Sequence, residues 1–480
     1  MLGMNLFRHL RRISGAGVCL AVAMLAAPSA RALGPHEIAV VVNDRSLDSI
    51  LLGHAYARIR NIPPDNVIRV EVPDALYMRG FSMSPDEFTQ YIWNPVTTAL
   101  KERSLDAQIL AWAYSCDFPT RVRTDPAISI TALTFLRNRL PTTEEIHRAT
   151  YASPIYVGPA APPKDATSEP SDAGTTTSLD TFRTELLDRM PIPAFMLGFT
   201  RERGITLDES TEALERAASG DRAWPAAPFV FWLSPDDIRT RCRQWEYAPA
   251  TNSLERLDAK SVFSTSIPTN HPIAGLVSGT TDFPRNRGEF VPGAYADHLT
   301  SFGASFETGG QTKIVQWLRN GAGATSGTVT EPLAHWRKFA TANIFVHHRR
   351  GATVLEALYL STACPLQLLP MGDPLAAPWA PKISVHIVNR PETVSGPKTL
   401  FTARRRNADP VNSPVDMENA ETIWLTDGHF TATGDEFLFD STQLPNGRHT
   451  IRAVVRTPGP LRHQCFDEVE FTVANDQATP

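Results

Sequence analysis

From residue 33 to about residue 376 the chain alternates short apolar runs with segments at helical spacing, and beyond that point the helical spacing stops. Ile38 to Val42 is a β-branched run. Leu47, Ile50, Leu51, His54, Ala55 and Arg58 follow at helical spacing, and Asn66 to Val72 reads as a second strand. Ser84-Pro85-Asp86-Glu87 supplies a capping serine, a proline at the first helical position and a capping-box glutamate. It predicts a helix to about Arg103 with a kink at Pro95. Ala107 to Tyr114 is the next strand. Continuous apolar strands set between helices predict a parallel sheet covered on both faces, that is, a doubly wound α/β fold.

Residues 152–178, rich in Pro, Ala, Ser, Thr, Gly and Asp, read as an exposed excursion. Patterning resumes with helices at 179–190 and 209–219 and strands at 228–233, 273–278 and 295–300. A helix at 311–320, a strand at 324–329 and helices around 332–350 and 354–362 complete this part. At Ala376-Ala377-Pro378-Trp379-Ala380-Pro381 the pattern changes. Beyond it, strands at 383–388, 422–425, 437–439, 449–455 and 469–473 are punctuated by Asp427-Gly428 and Pro445-Asn446-Gly447 turns. About a hundred residues of this kind predict an immunoglobulin-like β-sandwich over 382–480, behind an α/β domain over 33–378.

The first 32 residues read as an address. Arg8, Arg11 and Arg12 precede an apolar run from Ala16 to Ala27, and Ala30-Arg31-Ala32 is a small-x-small cleavage site. The run is too short to span a bilayer, and no later stretch approaches 18 apolar residues. The expectation is an exported protein, periplasmic or at the cell surface, cut after Ala32 and without a transmembrane segment afterwards. Cleavage removes four arginines and no acid, so a net charge of −5 becomes −9, which offers no basic surplus for nucleic acid. Cys116, Cys242, Cys364 and Cys465 remain, with three possible pairings or none, and without the CxxC spacing of a metal or redox site. No cofactor and no metal are expected.

Several ordered blocks resemble a known family. They are Ala39 to Asn43, Tyr56 to Ile68, Phe195 to Thr200, Asp237 to Arg239, Ala296 to Gly303, Gly327 to Pro332, Gly372 to Leu375, and the tail from Asp427 to Val454. The family consists of exported bacterial proteins of unassigned activity, in genomes that carry exosortase and its PEP-CTERM sorting system. More distantly, the layout is similar to gingipain-type cysteine peptidases, which implies a caspase-like α/β sheet followed by the immunoglobulin-like domain. Those peptidases place a His-Gly turn after one strand and a nucleophilic cysteine after the next. This sequence has no His-Gly pair and no cysteine in the Asp297–Phe306 region, where Ser301 stands about where the cysteine would.

Candidate chemistry therefore centres on Asp297, His298 and Ser301, because imidazole can take a hydroxyl proton and a carboxylate can orient the ring. Alternation along a strand puts Asp297 and Ser301 on one face and His298 on the other, unless the strand ends before Ser301. Gly303 allows such an ending and would let a backbone N–H approach an oxyanion. Cys116, in Ser115-Cys116-Asp117 after the 107–114 strand, is the fallback nucleophile, with Arg121 and Arg123 near in sequence to favour a thiolate. Ser234-Pro235-Asp236-Asp237 reads as a helix start capped by Ser234. Glu331 and His335 lie four apart on a predicted helix, and Asp373 reads as a turn former that also closes the sheet in the gingipain-like layout. Two functions follow as expectations. One is a cell-envelope protein whose degenerate peptidase-like core binds a protein or exopolysaccharide partner. The other is a hydrolase working around His298 and Ser301.

Overall fold

The computed structural model describes residues 33–159, 162, 190–283, 289–410, 415–459 and 461–475. Ten strands build the central sheet: β1 (Ile38–Asn43), β2 (Val67–Val70), β3 (Ala111–Tyr114), β4 (Ala194–Met196), β5 (Phe229–Trp232), β6 (Ser261–Ser264), β7 (Pro272–Gly279), β8 (Glu289–Leu299), β9 (Ala324–Thr328) and β10 (Leu368–Gly372). They lie side by side in the order β2-β1-β3-β4-β10-β9-β8-β7-β5-β6. Every neighbouring pair is parallel except β9 with β10. The chain winds outward in both directions from β1, and again from β5, so the order reverses between β1 and β3 and between β5 and β7.

Local chemistry accounts for most elements. All six residues of β1 are buried, as a strand covered on both faces requires. The helix Leu47–Arg60 begins at Ser46, whose hydroxyl accepts the Ser49 N–H at 3.2 Å, and ends at Asn61 in the left-handed conformation. The Ser84/Glu87 capping box is formed. Ahead of Pro95 the helix carries a π-helical stretch, Thr89–Trp93, between the helices Pro85–Phe88 and Asn94–Glu102. Gly275 is needed where β7 meets the helix Asn343–Arg349: a Cβ there would lie 2.5 Å from the Phe345 ring.

Elsewhere the structure corrects the sequence. The predicted 332–350 helix is a 3-10 turn at Trp336–Lys338 followed by Asn343–Arg349, because Leu333 and Ala334 adopt positive φ. Glu331 and His335 therefore share no helix face. The 311–320 helix shortens to Val315–Arg319. Strands β4, β6 and β10 and the helix Tyr247–Glu255 were not foreseen. The cap expected from Ser234 is made by Asp236, which accepts the Arg239 N–H at 3.2 Å; Ser234 instead ties the loop to Gly279 O. The start of the predicted excursion is held against the body, with Ser153 N–H donating to Ala363 O and Val157 N–H to Leu360 O. Most of its remainder, and all but Met190 of the 179–190 helix, lie outside the described residues, as does the whole predicted leader, 1–32.

After Pro381 the chain forms two mainly antiparallel sheets. One contains Ile383–Ile387, Thr399–Asn407 and Glu436–Phe439; the other contains Thr393–Val394, Glu421–Thr426, His429–Thr433, Gly447–Arg456 and Gln464–Val473. Side chains from both, including Val385, Phe401, Trp424, Phe439, Ile451 and Phe471, share one core. A separate core gathers Leu33 through Trp379. Cys116, Cys242, Cys364 and Cys465 are all free thiols. Among the described residues no helix is long and apolar enough to cross a membrane.

Candidate functional site at the carboxyl edge of the sheet

Asp297 and His298 are consecutive on β8 and their side chains leave opposite faces of the sheet. Asp297 accepts Arg243 Nη1 at 2.5 Å and Nη2 at 3.3 Å, and the Tyr295 hydroxyl at 2.8 Å. Arg243 and Asp297 are both almost fully buried. Burial is the largest single influence on Arg243 and works against its charge, but Asp297, Tyr247 and Glu246 together outweigh it and raise the arginine pKa. On the other face, Trp317 donates its indole N–H to His298 Nδ1 at 3.0 Å, and His298 Nε2 lies 3.1 Å from Thr312 O. An indole nitrogen can only donate and a carbonyl can only accept, so Nδ1 is the lone-pair nitrogen and Nε2 carries the proton. The imidazole is neutral and both its nitrogens are engaged. Burial pushes its pKa down to about 4.

Ser301 lies just past the end of β8, buried, with its carbonyl accepting the Thr328 hydroxyl at 3.0 Å. Among the described residues neither Asp297 nor His298 bonds to it. The expected constellation of Asp297, His298 and Ser301 is therefore not assembled: one member serves a buried ion pair, and another fills its ring nitrogens with Trp317 and Thr312. The amides flanking Gly303 are also used, Phe302 N–H by Gln311 Oε1 at 2.8 Å and Ala304 N–H by Thr328 O at 3.0 Å.

Cys116 is fully buried after β3. Burial raises its thiol pKa well above the ordinary value, and Asp117 and Asp48 raise it further. The arginines expected to assist it point elsewhere, Arg121 to Gly80 O and Glu307, Arg123 to Ser82 O and Glu87. A neutral thiol in that setting is no nucleophile. Asp373 forms the expected turn, its Oδ1 accepting the Leu375 N–H at 3.0 Å and its carbonyl the Ala376 N–H at 3.4 Å, and it is also a fully buried carboxyl group bound by Arg60 and Tyr56. Asp236 and Asp237 pair with Arg239 and Arg241. Among the described residues no group of three or more His, Cys, Asp or Glu side chains is placed to hold a metal ion.

What the fold does bring together lies where the strand order reverses between β1 and β3, the crevice at which open α/β sheets bind ligands. Asp117, at φ +57°, accepts the hydroxyls of Ser46 at 2.8 Å and Thr200 at 2.9 Å, with Arg201 Nε 3.3 Å away. Tyr77 donates to the Asp117 carbonyl, Asn43 Nδ2 donates to the Tyr77 hydroxyl at 2.7 Å, and the Arg201 guanidinium stacks over the Tyr77 ring at 4.2 Å. Sequence reasoning missed Asp117, Tyr77 and Arg201. The signal available was that Asn43 ends β1, and that Asp117 and Thr200 lie in the loops that follow β3 and β4.

The same edge continues past Phe199, stacked on Phe306 at 4.2 Å, to a groove of about 680 Å³ lined by Glu202, Arg203, Asp282, Lys313 and Arg319. Burial lowers the Lys313 pKa to about 8, and its ammonium donates to Phe302 O at 2.8 Å.

No family model matches this chain, and no curated protein does. Two solved structures show short likenesses. Fibronectin(III)-like modules of Clostridium thermocellum CbhA share 15% identity over 24% of this chain and 56% of theirs, at a TM-score of 0.17. CopC from Methylosinus trichosporium OB3b shares 17% identity over 20% of this chain and 99% of its own, at a TM-score of 0.14. Neither bears on the function.

Proposed function

We propose that the chain is an exported cell-envelope protein whose peptidase-like α/β core binds a protein or exopolysaccharide partner without cleaving it, in an exosortase-associated surface pathway. Under this reading the α/β unit has a caspase- or gingipain-like ancestry, and the C-terminal sheets are an immunoglobulin-like spacer. The observation that carries it is the state of His298: both ring nitrogens are hydrogen-bonded within the core, which takes the imidazole away from Ser301. In this reading the partner lies along the carboxyl edge, between the buried Asp117 cluster and the Lys313 groove.

The test is labelling of the purified protein with serine- and cysteine-directed activity probes, followed by peptide mapping. No label at Ser301 or Cys116 is the expected result. A modified Ser301 would establish the second reading, a hydrolase. Lys313 is what favours that reading, since an amine of pKa about 8, bonded one residue from Ser301, replaces the missing imidazole as base. In that case Lys313→Met would abolish labelling and His298→Gln would not.

A further inference from the structure

Lys313 is a buried cation that the protein itself does not pair. It is 6% exposed, and its ammonium donates to two neutral oxygens, Phe302 O at 2.8 Å and Thr308 Oγ1 at 3.3 Å. Arg203 stands close enough to oppose that charge, and its own guanidinium is held by two carbonyls, Phe306 O at 3.2 Å and Glu307 O at 2.9 Å. Among the described residues no carboxylate forms an ion pair with either cation. The acids nearby are engaged elsewhere: Glu307 pairs with Arg121 at 2.5 Å, Glu209 with Arg319 at 3.0 Å, and Asp282 Oδ1 accepts the Thr312 hydroxyl at 3.0 Å. Taking an ammonium out of water without a counter-charge is unfavourable, and an anion at hydrogen-bond distance offsets that cost.

Both cations line the groove of about 680 Å³, a volume within the range of small-ligand sites. Among the described residues the apolar side chains in its lining are Phe283 and Val315, and both are buried, so it offers no exposed apolar anchor of the kind that dominates protein interfaces. Amide, hydroxyl and carboxylate groups of Gln311, Thr312 and Asp282 complete the wall, which suits a polyhydroxylated ligand. Lys313 also has one N–H beyond the two that its protein acceptors take. We propose that this groove binds the carboxylate of a uronic acid unit in an acidic polysaccharide, with Lys313 and Arg203 as its counter-ions and Gln311, Thr312 and Asp282 bonding the ring hydroxyls. The chain as a whole carries a net charge of −5, so the attraction is local and is not the general hold of a basic surface on a polyanion. The inference deepens the binding reading above, and rests on it in taking the ligand to stay intact.

The experiment is calorimetric titration of the full chain with a galacturonate oligomer, a mannuronate oligomer, the carboxyl-reduced galacturonate oligomer and a polyglutamate peptide. At least one uronate oligomer should bind, and the reduced oligomer and polyglutamate should bind at least about tenfold more weakly. Arg203→Gln and Lys313→Met should each weaken uronate binding by about tenfold or more, as loss of a hydrogen bond to a charged group does. Arg241→Gln, at an exposed arginine paired with Asp237, should leave it unchanged. Failure of both uronate oligomers to bind, equal binding of the reduced oligomer, or undiminished binding by the groove variants would overturn the site. Polyglutamate binding as tight as the uronates would make the partner an acidic protein and overturn the glycan assignment. Should Lys313→Met not fold, Arg203→Gln decides alone, since Arg203 is exposed. Mass analysis of the oligomer after incubation tests the non-cleaving reading separately: shortened products would end that reading and leave the site standing.

Discussion

Arg60 and Asp373 stand 313 residues apart in the chain and meet in a buried ion pair, with Arg60 Nε donating to Asp373 Oδ2 at 2.9 Å. Tyr56 donates to the other oxygen at 2.9 Å, and Asp221 shares the guanidinium. The first helix is thereby tied to the turn after β10. Removing one partner leaves a buried charge uncompensated, so Arg60→Met should lower stability by about 3–5 kcal/mol in denaturant unfolding. An unchanged midpoint would mean that the pair adds nothing.

The ring of His298 is held by its contacts and not by chemistry. Trp317→Phe keeps the stacking on Phe283 but strips the Nδ1 acceptor of its donor, and should destabilise by about 1–3 kcal/mol. Ser301→Ala removes one buried hydroxyl and should change stability by no more than about 1 kcal/mol. Urea titration of both variants compares them directly.

His298 and His347 have pKa values pushed down by burial to about 4, and His348 to about 3. A histidine depressed in the folded state adds stability that is complete above its unfolded pKa of about 6.5 and is lost as pH falls toward the folded value. Tm should therefore fall steadily from pH 6.5 to pH 4. A flat profile over that range would contradict neutral burial of these rings.

Glu246 acts with the opposite sign. Burial raises its pKa to about 8, against the pull of Arg243, while its Oε2 accepts the Ala342 N–H at 2.9 Å. The folded protein keeps a proton that the unfolded chain releases, so stability declines as pH rises from about 4.5 through 8. His449, raised by its bond to Asp427, also loses its contribution as pH rises. Between pH 6.5 and 8 the parent should lose Tm. Glu246→Gln retains an acceptor for Ala342 and should show a shallower slope.

Cys116 should resist a neutral thiol reagent for as long as the chain stays folded and should react fully in denaturant, because its sulfur is buried and its thiol stays protonated. Mass mapping after a short exposure reads the outcome. Rapid modification in buffer would show that the strand end opens.

The sequence by itself determined the elements whose signals are local. The all-buried run from Ile38, the helix from Leu47 and the Ser84/Glu87 cap could be read because burial on both faces, a 3.6-residue period and a three-residue capping spacing are each complete within a few positions. The short strands β4, β6 and β10 could not, since three to five residues carry no period and become strands only by pairing with neighbours already in the sheet. The candidate site divided in the same way. Alternation along β8 already placed Asp297 and His298 on opposite faces. That Asp297 would meet Arg243, 54 residues earlier, and His298 would meet Trp317, 19 residues later, was decided by which helices pack on each face of the sheet. A hydrogen-bonding side chain in a strand specifies only that it needs a partner; tertiary packing chooses the partner, and with it whether an imidazole remains free to act as a base.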